Sequence, residues 1–217
     1  MIRTLFIDWN RTLSFGRFWG PAAERNPVLF QLLEKRLFQD NRPLLEDWMR
    51  GRLSYETVCT RMADADLSAD TVDQAFREGF DALFIAPAIQ TALKTLRRTG
   101  LPIWVATNHM DVFGRFIYPH FSHLFDGYLC SADIGFFKEE LSVNDRPLFF
   151  NSFFKKTGIM PEQTALIDNT SKVTNACARC GMHTYLIESP GDVLRTLTTL
   201  HAEETRSTTD GTSRGHG

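Results

Sequence analysis

Three apolar stretches of this chain each run straight into a side chain that can do chemistry. Thr4-Leu5-Phe6-Ile7 ends at Asp8, Pro102-Ile103-Trp104-Val105-Ala106 ends at Thr107-Asn108, and Thr164-Ala165-Leu166-Ile167 ends at Asp168. Open α/β sheets collect their chemistry beyond the carboxyl ends of their strands, so these are the positions to weigh first. A carboxylate there can attack phosphorus or carbon and form a covalent intermediate that water later breaks. A threonine there can donate a hydrogen bond to an anionic oxygen, and it can equally cap the helix that follows, since helix N-termini attract anions. A single Asp after an apolar run is also ordinary turn or cap chemistry. Asp8 gains its interest from Thr107 and Asp168 arriving at the same edge.

The elements that must bring these side chains together alternate along the chain. Ala86 to Arg98 reads as a helix closed by Gly100, and Met110 to Ile117 as another. Gly127-Tyr128-Leu129-Cys130 reads as a short strand. Asp145 to Thr157 reads as a helix with Phe149, Phe150, Phe153 and Phe154 on one face, a stripe that belongs in a core. Ser171 to Cys180 is a further helix, His183 to Ile187 a strand and Gly191 to Glu204 a final helix. Strands separated by helices need crossover connections, which predicts an α/β fold with a doubly wound parallel sheet.

One block breaks the alternation. Ser14 to Pro21 reads as a loop or short hairpin close to Asp8, and from Asn26 to about Phe84 no strand signal occurs, Val28, Leu29, Leu32, Leu33 and Leu37 recur at helix spacing, and Ser54 and Ser68 stand where N-caps belong. This predicts an inserted four-helix cap subdomain over 16–84 and a core made of 1–15 and 85–204. Residues 205–217, rich in Ser, Thr and Gly, are expected to be a disordered tail. Gly16, Gly20 and the chain near Pro87 are the expected hinges of the cap.

Composition removes several classes of function. With 217 residues, 43% hydrophobic, 23% charged and a formal charge of -2, the chain has neither the basic excess nor the basic stripe of a nucleic-acid binder. No apolar run is long enough to cross a bilayer, and the amino terminus has no signal pattern, so no membrane partner and a cytoplasmic location are expected. The four cysteines, at 59, 130, 177 and 180, suggest no disulfide framework. Cys177-x-x-Cys180 falls at a helix end and is read as packing rather than as a metal or redox pair.

Taken in order, Asp8-x-Asn10-x-Thr12-Leu13, Ala106-Thr107-Asn108, Lys138 after Ser131-Ala132-Asp133-Ile134-Gly135, and Leu166-Ile167-Asp168-Asn169 leading through Ala178 to Gly181-Met182 form a series. This series resembles the four motifs of the haloacid dehalogenase (HAD) superfamily of hydrolases, over nearly the whole chain except the tail. The resemblance implies a Rossmann-like core with a small helical cap of the C1 type that closes over the site and selects substrate. It implies Asp8 as nucleophile, Thr107 and Asn108 as contacts of the transferred group, and Lys138 as the lysine that neutralises charge on both. It further implies Mg²⁺ held by Asp8, Asn10, Asp168 and Asn169, with Asn10 offering its backbone carbonyl. Arg17, in the loop beside the nucleophile, is a candidate anion contact for the substrate. The activity implied is that of a phosphatase or phosphotransferase acting on a small phosphorylated metabolite through an aspartyl-phosphate.

The chain departs from that pattern at three places. Asn10 stands where such phosphatases carry the acid that protonates the leaving oxygen, and a carboxamide cannot exchange that proton near neutral pH. Asn169 stands where a second acid often touches the metal, and Glu139-Glu140 follow Lys138 where many relatives have Pro and Asp. Two alternatives therefore stand beside the phosphatase: a binding or regulatory protein that has lost efficient chemistry, and a metal-independent dehalogenase-like hydrolase, against which the retained Asp168 counts. His109, His120 and His123 lack a matching acid pattern and are read as surface or capping residues.

Overall fold

The computed structural model describes residues 2–212. Five parallel strands, β1 (Thr4–Ile7), β2 (Ile103–Thr107), β3 (Gly127–Cys130), β4 (Thr164–Asp168) and β5 (His183–Leu186), form one sheet in the order β3-β2-β1-β4-β5. β1 lies at the centre, with Ile7 beside Val105 on one flank and Ile167 on the other. Successive strand residues face opposite sides of a sheet, and here the alternation sorts two cores. Leu5, Ile7, Ile103, Val105, Ala165 and Ile167 point to one. Phe6, Ala106 and Leu166 point to the other, where Phe149, Phe150 and Phe153 pack against them. A strand buried on both faces needs a continuous apolar run, which is why these strands are legible without alternation.

The helical insert follows β1 and comprises α1 (Gly20–Arg25), α2 (Pro27–Glu34), a wider turn at Lys35–Gln39, α3 (Arg42–Met49), α4 (Tyr55–Met62) and α5 (Ala69–Asp81). Five helices and a wide turn stand where four helices were expected. Asn26, Asn41, Ser54 and Ser68 each accept a hydrogen bond from a first-turn amide, so Ser54 and Ser68 cap as the sequence suggested. The insert shares its apolar interior with the sheet: Trp19, Leu33, Trp48 and Phe76 belong to the same buried cluster as Leu5 and Ile7.

The core resumes with α6 (Pro87–Arg97), and the chain then passes through a wide turn at Phe113–Ile117 into α7 (Tyr118–Phe121). The single helix expected over 110–117 is therefore replaced by a later, irregular one. Gly114 fits this place because a Cβ there would lie 2.3 Å from the Tyr128 hydroxyl. Next come α8 (Ser131–Ile134) and α9 (Asn151–Thr157). The helix expected from Asp145 starts six residues later, at Asn151. Asp145 has φ 52° and Leu141 bridges to Pro147, and a residue preceding proline is disfavoured in helix. α10 (Ser171–Arg179) and α11 (Pro190–Thr212) complete the order. α11 carries helix through 205–212, part of the stretch expected to be a disordered tail, and residues 213–217 lie outside the described residues. No described helix is long and apolar enough to cross a membrane.

Candidate active site

The carboxyl ends of β1, β2 and β4 meet at one buried cluster. Asp8 follows β1, Thr107 closes β2 and Asp168 closes β4, and all three are buried. The loop after α8 sends Lys138 into the same place, where only 2% of the residue is exposed. Its Nζ donates to Asp8 Oδ1 and to Asp168 Oδ2, each at 2.5 Å. Thr12 Oγ1 donates to the other Asp8 oxygen at 3.2 Å, and the Thr170 amide donates to Asp168 Oδ1 at 2.8 Å. Thr12 lies within the first motif, yet nothing in its type marked it as a site residue; the turn that brings it back onto Asp8 does so.

Burial pushes the Asp8 carboxyl above its ordinary range, against the pull of Lys138. Burial also opposes charge on Lys138, but Asp8 and Asp168 outweigh it and raise its pKa, so the ammonium is retained. Two carboxylates facing one ammonium leave a buried negative charge held by oxygen atoms. That is the donor chemistry of a hard divalent cation such as Mg²⁺. Among the described residues no group of three His, Cys, Asp or Glu side chains is placed to hold a metal. A cation here would draw on Asp8 and Asp168 together with the Asn10 carbonyl and the Asn169 amide oxygen. Among the described residues Asn169 Oδ1 is engaged only by the Thr170 hydroxyl at 3.4 Å, which leaves it open to such a role.

The remaining expected residues fall around this centre in different ways. The Asn10 side chain is exposed, and its backbone bridges to Ser14 across a turn in which Arg11 adopts φ 58°. The Asn108 amide is committed on both sides: Oδ1 accepts from the Lys138 amide at 2.9 Å and Nδ2 donates to Glu139 at 2.9 Å. Asn108 also lines a cavity of about 480 Å³ between α3 and the lysine loop, with Arg42, Leu45, Met49, Arg50 and Phe137. Arg17 is exposed and lies over the Phe30 ring of α2, 5.9 Å from its centroid, so among the described residues its contacts are with the insert.

His109 departs from expectation. It is fully buried, its Nδ1 accepts from the Met110 amide at 2.9 Å, and burial drives its pKa down to about 4, so the ring is neutral. His120 and His123 are exposed as expected. Cys177 and Cys180 are free thiols, raised in pKa by burial. Among the described residues five buried polar atoms find no partner in the protein: Trp9 Nε1, Ser14 Oγ, Trp19 Nε1, Thr107 Oγ1 and His109 Nε2. Thr107 ends β2 and His109 follows it, and the other three lie on the segment that follows β1. An unpaired buried polar group costs about 1–3 kcal/mol, so such groups point to function where they gather.

Comparison with known proteins finds likeness at the level of the fold. No family model matches the chain. A 96-residue stretch, 43% of the chain, is 29% identical to the acetyl-coenzyme A carboxylase carboxyl transferase subunit beta of Exiguobacterium sp. and spans 31% of that protein. Among solved structures, a predicted HAD-like family hydrolase from Porphyromonas gingivalis superposes with a TM-score of 0.68 at 20% identity, over 92% of this chain and 98% of that one. A HAD family enzyme from Bacteroides thetaiotaomicron, in complex with magnesium and inorganic phosphate, gives 0.67 at 17% identity over 87% and 96%. The L-2-haloacid dehalogenase of Xanthobacter autotrophicus, with chloropropionic acid covalently bound, gives 0.61 at 13% identity over 92% and 83%.

Proposed function

We propose that this chain, whose fold is that of the HAD superfamily hydrolases, is a Mg²⁺-dependent phosphatase or phosphotransferase for a small phosphorylated metabolite. The observation that carries the reading is the buried arrangement of Asp8, Lys138 and Asp168, with the unpaired Thr107 hydroxyl on the neighbouring strand. The magnesium and phosphate bound by the Bacteroides neighbour, and the covalently bound acid in the dehalogenase, support it as chemistry that this fold accommodates.

In this reading an Asp8 oxygen attacks phosphorus, an Asp8–phosphorus bond forms, and the bond to the leaving oxygen breaks with its electron pair going to that oxygen. Water then attacks the aspartyl-phosphate, the bond to Asp8 breaks, and the carboxylate and inorganic phosphate are released. Lys138 offsets the charge of Asp8 and of the incoming phosphoryl group, and Thr107 donates to a phosphoryl oxygen. Mg²⁺ held by Asp8, Asn10, Asp168 and Asn169 would supply charge neutralisation at the phosphoryl oxygens. Asn10 supplies no proton, which favours substrates with good leaving groups.

The same Asn10 favours a second reading, a protein that binds phosphate and turns it over poorly. Release of phosphate from an aryl phosphate, with Mg²⁺ and with chelator, separates them in the natural protein, Asp8→Asn and Asn10→Asp. Activity that is lost in Asp8→Asn and in chelator upholds the phosphatase. Asn10→Asp should raise turnover of an alkyl phosphate by about 10²- to 10⁴-fold, the usual size of a general-acid contribution. Silence in the natural protein with activity in Asn10→Asp upholds the binding reading, and hydrolysis of a haloacid in chelator overturns both.

A further inference from the structure

The site depends on Lys138 reaching two carboxylates from a loop, and the loop is held from outside the core. Arg50, at the carboxyl end of α3 in the insert, pairs with Glu140 through both terminal nitrogens, at 2.6 and 3.0 Å. The same guanidinium donates to the Gly135 carbonyl at 3.2 Å and stacks 4.2 Å over the Phe137 ring. Glu140 in turn accepts from the Phe137 amide at 2.8 Å. Arg50 thus touches the loop both before Lys138, at Gly135 and Phe137, and after it, at Glu140, and its side chain is 14% exposed. A bidentate arginine–carboxylate pair fixes direction as well as distance.

From the core side the grip is completed by Asn108, which holds the Lys138 amide, and by the Cys177 thiol beneath the Lys138 carbonyl. Arg50 is itself located by the seating of its corner of the insert. The Met49 carbonyl accepts from Ser131 Oγ at 2.7 Å, and Gly51, with φ 67°, lies so close to Ala132 that a Cβ would meet its carbonyl oxygen at 1.9 Å. Trp48 Nε1 and the Tyr55 amide, flanking this corner, both donate to Asp111 of the core. Glu140, one of the two acids that replace the usual Pro and Asp after the lysine, is therefore the handle by which the insert holds the loop.

We propose that Arg50 is a positioning residue for Lys138: through Glu140 and Phe137 it sets the Gly135–Glu140 loop so that Nζ spans Asp8 and Asp168. The charge centre is then assembled only while the insert is seated on the core. The activity arm of the test rests on the phosphatase reading; the exchange arm does not.

Arg50→Ala, Glu140→Ala and the double variant should be compared with the natural protein in aryl phosphate hydrolysis and in amide hydrogen exchange. Each single change should lower kcat by about 10²-fold with KM nearly unchanged, the cost of a small misplacement of a catalytic group. The double variant should be no worse than either single one, because both break one linkage. Arg50→Lys, which keeps charge but not the fork, should fail to restore kcat. Exchange at the Phe137 and Lys138 amides should accelerate in each variant, with the strands of the sheet still protected. Exchange reads the loop even if the natural protein releases no phosphate, so a failed phosphatase reading is told apart from a failed positioning role. If Arg50→Ala unfolds, Glu140→Ala carries the test. A raised KM at constant kcat would make Arg50 a substrate contact, and unaltered loop exchange or additive losses would overturn the proposal.

Discussion

Replacing Lys138 by Met, in chelator, tests whether the site is held together by charge. Met fills similar space but leaves Asp8 and Asp168 buried with no cation between them. Removing one partner of a buried ionic cluster costs about 3–5 kcal/mol, which for a chain of this size lowers Tm by roughly 6–20 °C. The pH dependence fixes the cause. Burial already raises the Asp8 pKa and Lys138 restrains it, so removal of Lys138 raises it further. A carboxyl whose pKa is higher folded than unfolded takes up a proton on folding, so its cost is absent below the unfolded value and grows as pH rises through the folded one. Lys138 has a raised pKa, so in the natural protein its contribution is fully present from pH 5 to pH 8. The Tm deficit of Lys138→Met measured by circular dichroism should therefore be larger at pH 8 than at pH 5. A deficit that is larger at pH 5, or a Tm within 2 °C of natural at both, would refute the reasoning.

Two further outcomes follow from the same geometry. Thr107→Val keeps the β-branched shape and removes a buried hydroxyl with no protein partner, so Tm should hold or rise, by up to about 1 kcal/mol of stability, while aryl phosphate turnover falls at least tenfold. A Tm loss with unchanged turnover would show the hydroxyl to be structural. Gly51→Ala places a Cβ against the Ala132 carbonyl at positive φ, where a left-handed backbone alone costs about 1–2 kcal/mol. Thermal unfolding should show that loss, and unchanged stability would mean that the corner of the insert is not seated as described.

How much of this was legible beforehand follows the physics of each feature. The three central strands were readable because strands buried on both faces must be apolar runs, and these runs end at Asp8, Thr107 and Asp168. Ser54 and Ser68 were readable as caps because capping is a contact within one turn. The start of α9 was not, because the bridge of Leu141 to Pro147 competes with the helical stripe of phenylalanines. His109 read as a surface or capping residue because no matching acid pattern accompanies it, whereas the rings of Phe18 and Phe113 lie against it in the core.

The sequence by itself determined the sheet, the helical insert and the set of side chains brought to one edge, since each of these depends on local pattern or on strand order. Only the tertiary structure decided that Lys138 spans both carboxylates, that Thr12 turns back onto Asp8, and that Asn108 serves the lysine loop. The pairing of Arg50 with Glu140 lay furthest from view, the partners standing 90 positions apart. Contacts of that range are set by how the insert docks on the core, and docking leaves no periodic mark on the chain.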